Sequence, residues 1–423
     1  MKVSTLRTEP RLDTGNNRGL HIQTYGEHND QPQRYAEIVA ASATGSSCVE
    51  TYRKFIEGRG FAQTDFAAAA VDSRGTTADA LLRAVADDYA RFGGFALHVN
   101  YNALYEVVSV SHVPLEFVRF EELDEALHFT RVALHPDWGR RFMRLRPFRP
   151  RDIEWFGLFD PDPATIDREV SAAGGWNGYR GQIFYYSNRG ERVYPLPIYE
   201  AAVTDMSTEE GFSNIRLRNA RNNFLPAGMI VDFDQTSSSG EQEEQTREEL
   251  RAFQQDTNAG NLMYTTLRNG DQEPRFIPFK GNNYDSEFRN GEERVPQIIG
   301  RCFVQPPILR AEDVGSHFGA DLMTNAYDFY NAITEDERTA VARVFGRIFR
   351  LWHDPSINPE GDYSILAKVY RVNTSLAERL GGSAAEVLAL VFDPSKEIAV
   401  KRRVLKTIYG LDQEEIDDLL GMS

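Results

Sequence analysis

Tyr194-Pro195-Leu196-Pro197, followed by Ile198, Ala202 and Met206 at helical spacing, opens the stretch that organises this chain. A first long helix is expected over 198–222. It runs into Asn219-Ala220-Arg221-Asn222-Asn223-Phe224-Leu225-Pro226-Ala227-Gly228, where Pro226 and Gly228 break it before a strand at Met229 to Phe233. A polar loop over 235–242, a charged helix from Glu243 to Gln255, a strand from Leu262 to Leu267 and a strand from Arg275 to Phe279 complete a small βαββ insertion. Asn269-Gly270 between the last two β runs reads as a hairpin turn. A second long helix is expected over 284–304. Gly291 and Pro296 fall inside it, and such residues cost about 1 and about 3 kcal/mol in a helix interior, so a kink or break is expected near Arg294. The stretch closes with Ile298-Ile299-Gly300-Arg301-Cys302-Phe303-Val304-Gln305-Pro306-Pro307-Ile308-Leu309, a loop, and a helix from Ala320 to Ala332.

Before this stretch, a helix is expected from Arg34 to Glu57, ended by Gly58-Arg59-Gly60, and a second from Thr76, boxed by Asp79 and stopped at Gly93-Gly94. Alternation then takes over. Phe95, Leu97, Val99 and Tyr101 point one way, and Ala96, His98 and Asn100 the other. Further strands are expected at Tyr105 to Val110, Phe117 to Phe120, His128 to Leu134 and Gln182 to Tyr186. After the stretch, Thr334 and Glu337 form a capping box for a helix whose Val341, Val344, Phe345, Ile348, Phe349 and Trp352 make an apolar stripe, read as core. A short strand at Tyr363 to Tyr370 and a helical tail follow.

With 423 residues, 26% charged and 41% hydrophobic, the chain is globular and larger than one typical domain. Its net charge of -16 argues against a protein that grips DNA over a broad surface, because that requires clustered Lys and Arg. It is compatible with DNA passing by, or with simple solubility. The one dense basic run, from Arg140 to Arg151 with interleaved aromatics, suits either nucleic-acid contact or pairing with acidic neighbours. Cys48 and Cys302 stand far apart, so no disulfide framework is expected and a reducing compartment is the simplest reading. No apolar run approaches the roughly 18 residues needed to span a bilayer, so no membrane partner is expected. Residues 1–33 lack an apolar core segment and are expected to form a flexible arm.

Motifs for chemistry are missing. There is no Gly-Lys pair and hence no P-loop, no His-Glu-x-x-His, no Cys-x-x-Cys and no Gly-x-Ser-x-Gly. Asp232-Phe233-Asp234 and Asp160-Pro161-Asp162 begin like calcium loops but lack the sixth-position glycine, and are read as turn residues. The eight histidines show no i, i+3 or i, i+4 pair. No catalytic residue, metal or cofactor is expected, and the chain reads as a non-enzyme.

The order of parts resembles the tailed-phage portal proteins of the siphovirus type. The phrases that carry it are Tyr194-Pro195-Leu196-Pro197; Asn223 with Pro226 and Gly228; Asp256-Thr257-Asn258-Ala259-Gly260-Asn261; Asp285-Ser286-Glu287-Phe288; and Phe303-Val304-Gln305-Pro306-Pro307. The first lacks the glycine usual in the family. The resemblance implies an α+β portal-like architecture. Its parts would be a wing over 34–197, a stem helix over 198–222, a clip over 223–283, a second stem helix over 284–304, a tunnel loop over 305–319, wing helices over 320–357 and a helical crown over 358–423. It implies a homododecameric ring at a capsid vertex of the virion, assembled in the host cytoplasm. Terminase large subunit, major capsid protein, neck or adaptor proteins and double-stranded DNA in the channel would be its partners. Implied contact residues are Arg310 and His317 in the tunnel loop; Glu243, Glu244, Arg247 and Asn269 on the clip; and Arg216, Arg218, Arg221, Arg289 and Arg294 on the stem. Cations are expected to be sparse along the channel. The alternatives are another head-completion component of the virion, or an enzyme with an unfamiliar site.

Overall fold

A computed structural model describes residues 16–17, 19–122, 129–138, 150–189, 193–221, 228–234, 262–268, 275–278, 284–310 and 320–370, and in the tail 387, 390–391, 393, 396–407, 416 and 419–420. The fold is α+β. In chain order the elements are β1 (Asn16–Asn17), β2 (Ile22–Gln23), α1 (Gln31–Ala41), α2 (Ala43–Glu57), α3 (Thr64–Ala68), α4 (Ala78–Phe92), β3 (Gly94–Tyr101), β4 (Val107–Val113), β5 (Val118–Phe120), β6 (Arg131–Leu134), β7 (Glu154–Leu158), α5 (Pro163–Ala172), β8 (Gln182–Ser187), α6 (Val203–Arg221), β9 (Gly228–Asp234), β10 (Leu262–Arg268), β11 (Arg275–Pro278), α7 (Tyr284–Cys302), α8 (Ala320–Ile333), α9 (Glu335–Phe349) and α10 (Ile398–Thr407). The chain divides into two compact units, Met1–Lys368 and Val369–Ser423.

The first unit is built on a six-stranded sheet in the order β4-β3-β8-β7-β6-β5. All neighbours are antiparallel except β7 and β8. A parallel pair needs a crossover, and α5 supplies it. The alternation expected in β3 is realised: Phe95, Leu97, Val99 and Tyr101 join the large core under the helices, while Ala96 joins a second core on the opposite face. The α9 stripe from Val341 to Trp352 is buried in the large core, as expected. In the second unit, Val387, Leu390, Leu405 and Ile416 form a small core of their own.

Several expectations are corrected. The helix expected over 34–57 is two helices, because Ser42 leaves helical geometry and its side chain caps α2 by accepting from the Gly45 N–H at 2.9 Å. The cap of α4 is Thr77, which accepts from the Ala80 N–H, and not Thr76; Asp79 instead accepts from the Phe61 N–H at 3.0 Å. No capping box forms at α9. Thr334 donates to the Tyr330 carbonyl and accepts from Arg338, while Glu337 accepts from the Tyr52 hydroxyl at 2.8 Å. Residues 363–370 form no strand, only a bridge between Ile365 and Phe61. The missed elements are β1, β2, α3, β7 and α5; Asp162 caps α5, so Asp160 to Asp162 do serve a turn. The residues Asp232 to Asp234, in contrast, lie within β9.

Residues 19–33, expected within a flexible arm, are folded onto the sheet. Ile22, Tyr25 and Gln23 are buried. Tyr25 stacks on Tyr194 with ring centroids 4.1 Å apart, its hydroxyl donates to the Pro195 carbonyl at 2.9 Å, and the Tyr194 hydroxyl donates to the Gln23 carbonyl at 2.7 Å. Beside them lies Arg119, fully buried. Its guanidinium donates to Asn29 Oδ1 (2.6 Å), the Asn29 carbonyl (2.8 Å) and the Val118 carbonyl (2.6 Å), and sits 5.4 Å from the ring centroids of both Tyr25 and Trp138. Burial lowers its pKa to about 10, so the cation persists at neutral pH, held by amide and carbonyl dipoles and the faces of Tyr25 and Trp138, with the nearby charge of Asp30 adding to these. Replacing Arg119 by Ala removes these bonds and leaves a void. Urea unfolding is expected to show a loss of roughly 3 kcal/mol.

Candidate functional site: a helix pair with one anchored end

The helices α6 and α7 are each 19 residues, about 28 Å long at 1.5 Å per residue. They run antiparallel. The ring of Phe212 lies against Gly291, Arg216 Nε pairs with Glu292 at 3.1 Å, and Asp205 is close enough to Cys302 to add to the burial that pushes its thiol pKa up. Among the described side chains of the pair the buried ones lie at the shared base: Ala202, Val203 and Met206 on one side, Val295, Ile299 and Phe303 on the other. From Ser213 to Leu217 α6 is exposed, with Ile215 45% and Leu217 49% accessible; Ile298 of α7 is also exposed.

The base is held by specific polar contacts as well as apolar ones. Glu209 of α6 accepts from the Thr44 hydroxyl at 2.7 Å, from the Thr44 N–H and from the Ser42 hydroxyl, placing a carboxylate on the positive end of α2. Glu200 accepts from the Tyr35 hydroxyl at 2.6 Å. Phe303 stacks on Tyr199 with centroids 5.6 Å apart and meets Tyr52 edge-on at 6.0 Å. Further along, Arg216 of α6 pairs with Glu292 of α7, and Asp205, Glu209 and Glu210 lie toward the start of α6, where acidic groups suit its dipole.

Of the kink or break expected near Arg294, the break is absent: α7 is continuous from Tyr284 to Cys302 across Pro296. Buried Val295, Ile299 and Phe303 hold that turn in the core, and packing outweighs propensity. Gly291 has a packing reason, since a Cβ there would stand 2.8 Å from the Phe212 ring. The helix ends in a Schellman motif, in which the Gln305 N–H donates to the Gly300 carbonyl (3.2 Å) and the Val304 N–H to the Arg301 carbonyl (3.0 Å). The left-handed position is occupied by Val304, at φ 51°, where a β-branched residue is strained. Gln305 is buried, and neither polar atom of its side chain has a hydrogen-bond partner.

The insertion between the helices in sequence holds a three-stranded sheet in the order β10-β9-β11, with β10 parallel and β11 antiparallel to β9. The Asn269-Gly270 hairpin is therefore corrected: β10 and β11 flank β9 and do not pair with each other. A parallel neighbour leaves both later strands free to choose opposite edges of the first, which a turn dipeptide cannot reveal.

Of the residues singled out in sequence, Arg216 and Arg294 are exposed on α6 and α7, and only the helical backbone of Arg218, Arg221 and Arg289 is described. Arg310 folds back over Gly300, donating to the Gln305 carbonyl at 2.9 Å. His317, Glu243, Glu244, Arg247 and Asn269 lie outside the described residues, as do the Glu243–Gln255 helix and most of the basic run from Arg140 to Arg151. Sequence reading missed Glu209, Glu200, Tyr25 and Arg119, whose roles arise from contacts between segments distant in sequence. Among the described residues no three His, Cys, Asp or Glu side chains are grouped to hold a metal, and no helix is long and apolar enough to cross a membrane.

No protein-family model matches the chain, and neither does any curated protein. Solved structures similar to it include a protein of the virion of a native gene transfer agent particle, at 14% identity and TM-score 0.41, covering 92% of this chain and 93% of that one. A component of the neck of that native particle, computed with C12 symmetry, has 14% identity and TM-score 0.36 over 93% and 94% of the two chains. An HK97-family phage portal protein from Corynebacterium diphtheriae has 12% identity and TM-score 0.38, over 70% and 85%.

Replacing Val304 by Gly removes the left-handed strain without touching the core. Thermal or urea unfolding is expected to show a gain of about 1 kcal/mol. Gly291→Val has the opposite sign, because its side chain meets Phe212, and a loss of about 1–3 kcal/mol is expected in the same measurement.

Proposed function

We propose that this chain is the subunit of a portal ring of the tailed-phage type, the head-tail connector of a virion. The observation that carries the reading is the helix pair α6 and α7, buried at one end, exposed beyond it, and interrupted in sequence by a small sheet. That is the stem-clip-stem order implied by the five phrases between Tyr194 and Pro307. In this reading α6 and α7 are the stem, the β9 to β11 sheet belongs to the clip, Pro307 to Arg310 begins the tunnel loop, the six-stranded sheet with α1 to α4, α8 and α9 is the wing, and the tail is the crown.

The ring is proposed as a homododecamer at one capsid vertex. It would contact the major capsid protein, receive DNA driven by the terminase large subunit, and later bind neck proteins. Its work is mechanical, guiding and holding duplex DNA. The excess of acidic over basic residues suits a wall that must not retain phosphates, since each added cationic contact creates salt-dependent drag.

Exposed Ile215 and Leu217 support assembly, because two large apolar side chains left in water gain from burial against a neighbouring subunit. Negative-stain microscopy and native mass spectrometry of the purified chain are expected to show closed rings with a central hole. Ile215→Glu with Leu217→Glu is expected to yield subunits that melt as the parent does but no longer close. Monomers or dimers of the parent chain at all concentrations would overturn the proposal.

A further inference from the structure

In the middle of the six-stranded sheet, β8 is covered unequally. On one side β3 pairs with it from Gln182 to Ser187, whereas on the other β7 reaches only Gln182 and Ile183. Ile183 turns its carbonyl to that second side, where the Phe159 N–H donates to it at 2.9 Å. By the two-residue alternation of an antiparallel pair, Tyr185 and Ser187 direct their backbone groups the same way. Among the described residues no strand meets them there. An open edge of this kind is a template for another extended chain.

The edge opens onto a cleft of about 530 Å³ between β8 and α9, lined by Phe184, Tyr186, Ser187, Arg189, Arg343 and Arg347 among others. All three arginines are exposed. Arg343 and Arg347 stand one helical turn apart on α9, and Arg347 lies 5.4 and 5.6 Å from the ring centroids of Phe159 and Phe184. None of the three has a carboxylate within ion-pair distance among the described residues, in a chain with 63 acidic against 47 basic residues. A cationic, aromatic-walled cleft beside a strand edge that no described strand covers fits an extended polypeptide. Duplex DNA would call for a broader, shallower basic face.

We infer that the cleft between β8 and α9 binds an extended acidic segment of a partner protein by strand addition along Phe184 to Ser187, with its carboxylates received by Arg189, Arg343 and Arg347. Main-chain bonds to Tyr185 and Ser187 supply register, and the guanidinium groups supply selection for charge.

The test is fluorescence anisotropy on the full chain with a labelled peptide alternating Glu and Val. The comparison probes are the same peptide with Gln for Glu, the same peptide N-methylated at alternate amides, and DNA oligonucleotides. Saturable binding of the Glu peptide is expected, weakened roughly tenfold or more by Arg189→Glu with Arg343→Glu, at unchanged melting temperature. The Gln and N-methylated peptides are expected to bind correspondingly more weakly. The inference is overturned by an absence of saturable binding, by equal binding of the N-methylated peptide or of the charge-reversed chain, or by an oligonucleotide that binds more tightly and displaces the peptide.

Discussion

The helix pair is fixed where α6 begins and α7 finishes, and the hold there is the packing of Phe303 and Met206 into the large core. Phe303 lies between Tyr199 and Tyr52, so the return helix and the segment before the outgoing helix share one aromatic contact. Glu209 and Glu200 add directional bonds to α2 and α1, which apolar packing alone would not provide. Every feature further along α6 and α7, from the Gly291 notch to the Arg216–Glu292 pair, has its position set from this base.

Much of this was legible in the sequence. The 3.6-residue spacing of Val341 to Trp352, the two-residue alternation of β3 and the Pro-Pro turn after Val304 are local patterns, and each marks its element well. The misreadings share a physical cause. A Thr-x-x-Glu phrase at Thr334 looks like a capping box until Tyr52 and Arg338 compete for its two side chains. Asn269-Gly270 suggests a hairpin because it reports on turn geometry and says nothing about which strand already occupies the neighbouring edge. Pro296 signals a break only if the surrounding turn is free to leave the core, and Val295, Ile299 and Phe303 do not leave it.

The candidate site was legible in outline and not in detail. The order helix, sheet, helix follows from local signals, whereas the groups that fix its base were invisible because they pair across the chain. Arg310 illustrates the difference. Its position after the Pro-Pro turn suggests a side chain reaching outward, yet Gly300 offers a bare stretch of helix on which the guanidinium lies.

The Tyr25–Tyr194 stack also bears on how the chain reaches its fold. The Tyr25 hydroxyl finds its acceptor 170 positions later, so the N-terminal segment, which meets Arg119 and Glu121 first, does not make its full set of contacts until the sheet and the segment after it have been synthesised. A contact of such long sequence separation closes late, since its loop entropy must be met by structure already in place. Docking of residues 19–33 is thus a finishing step of the first unit, completed when Pro195 arrives.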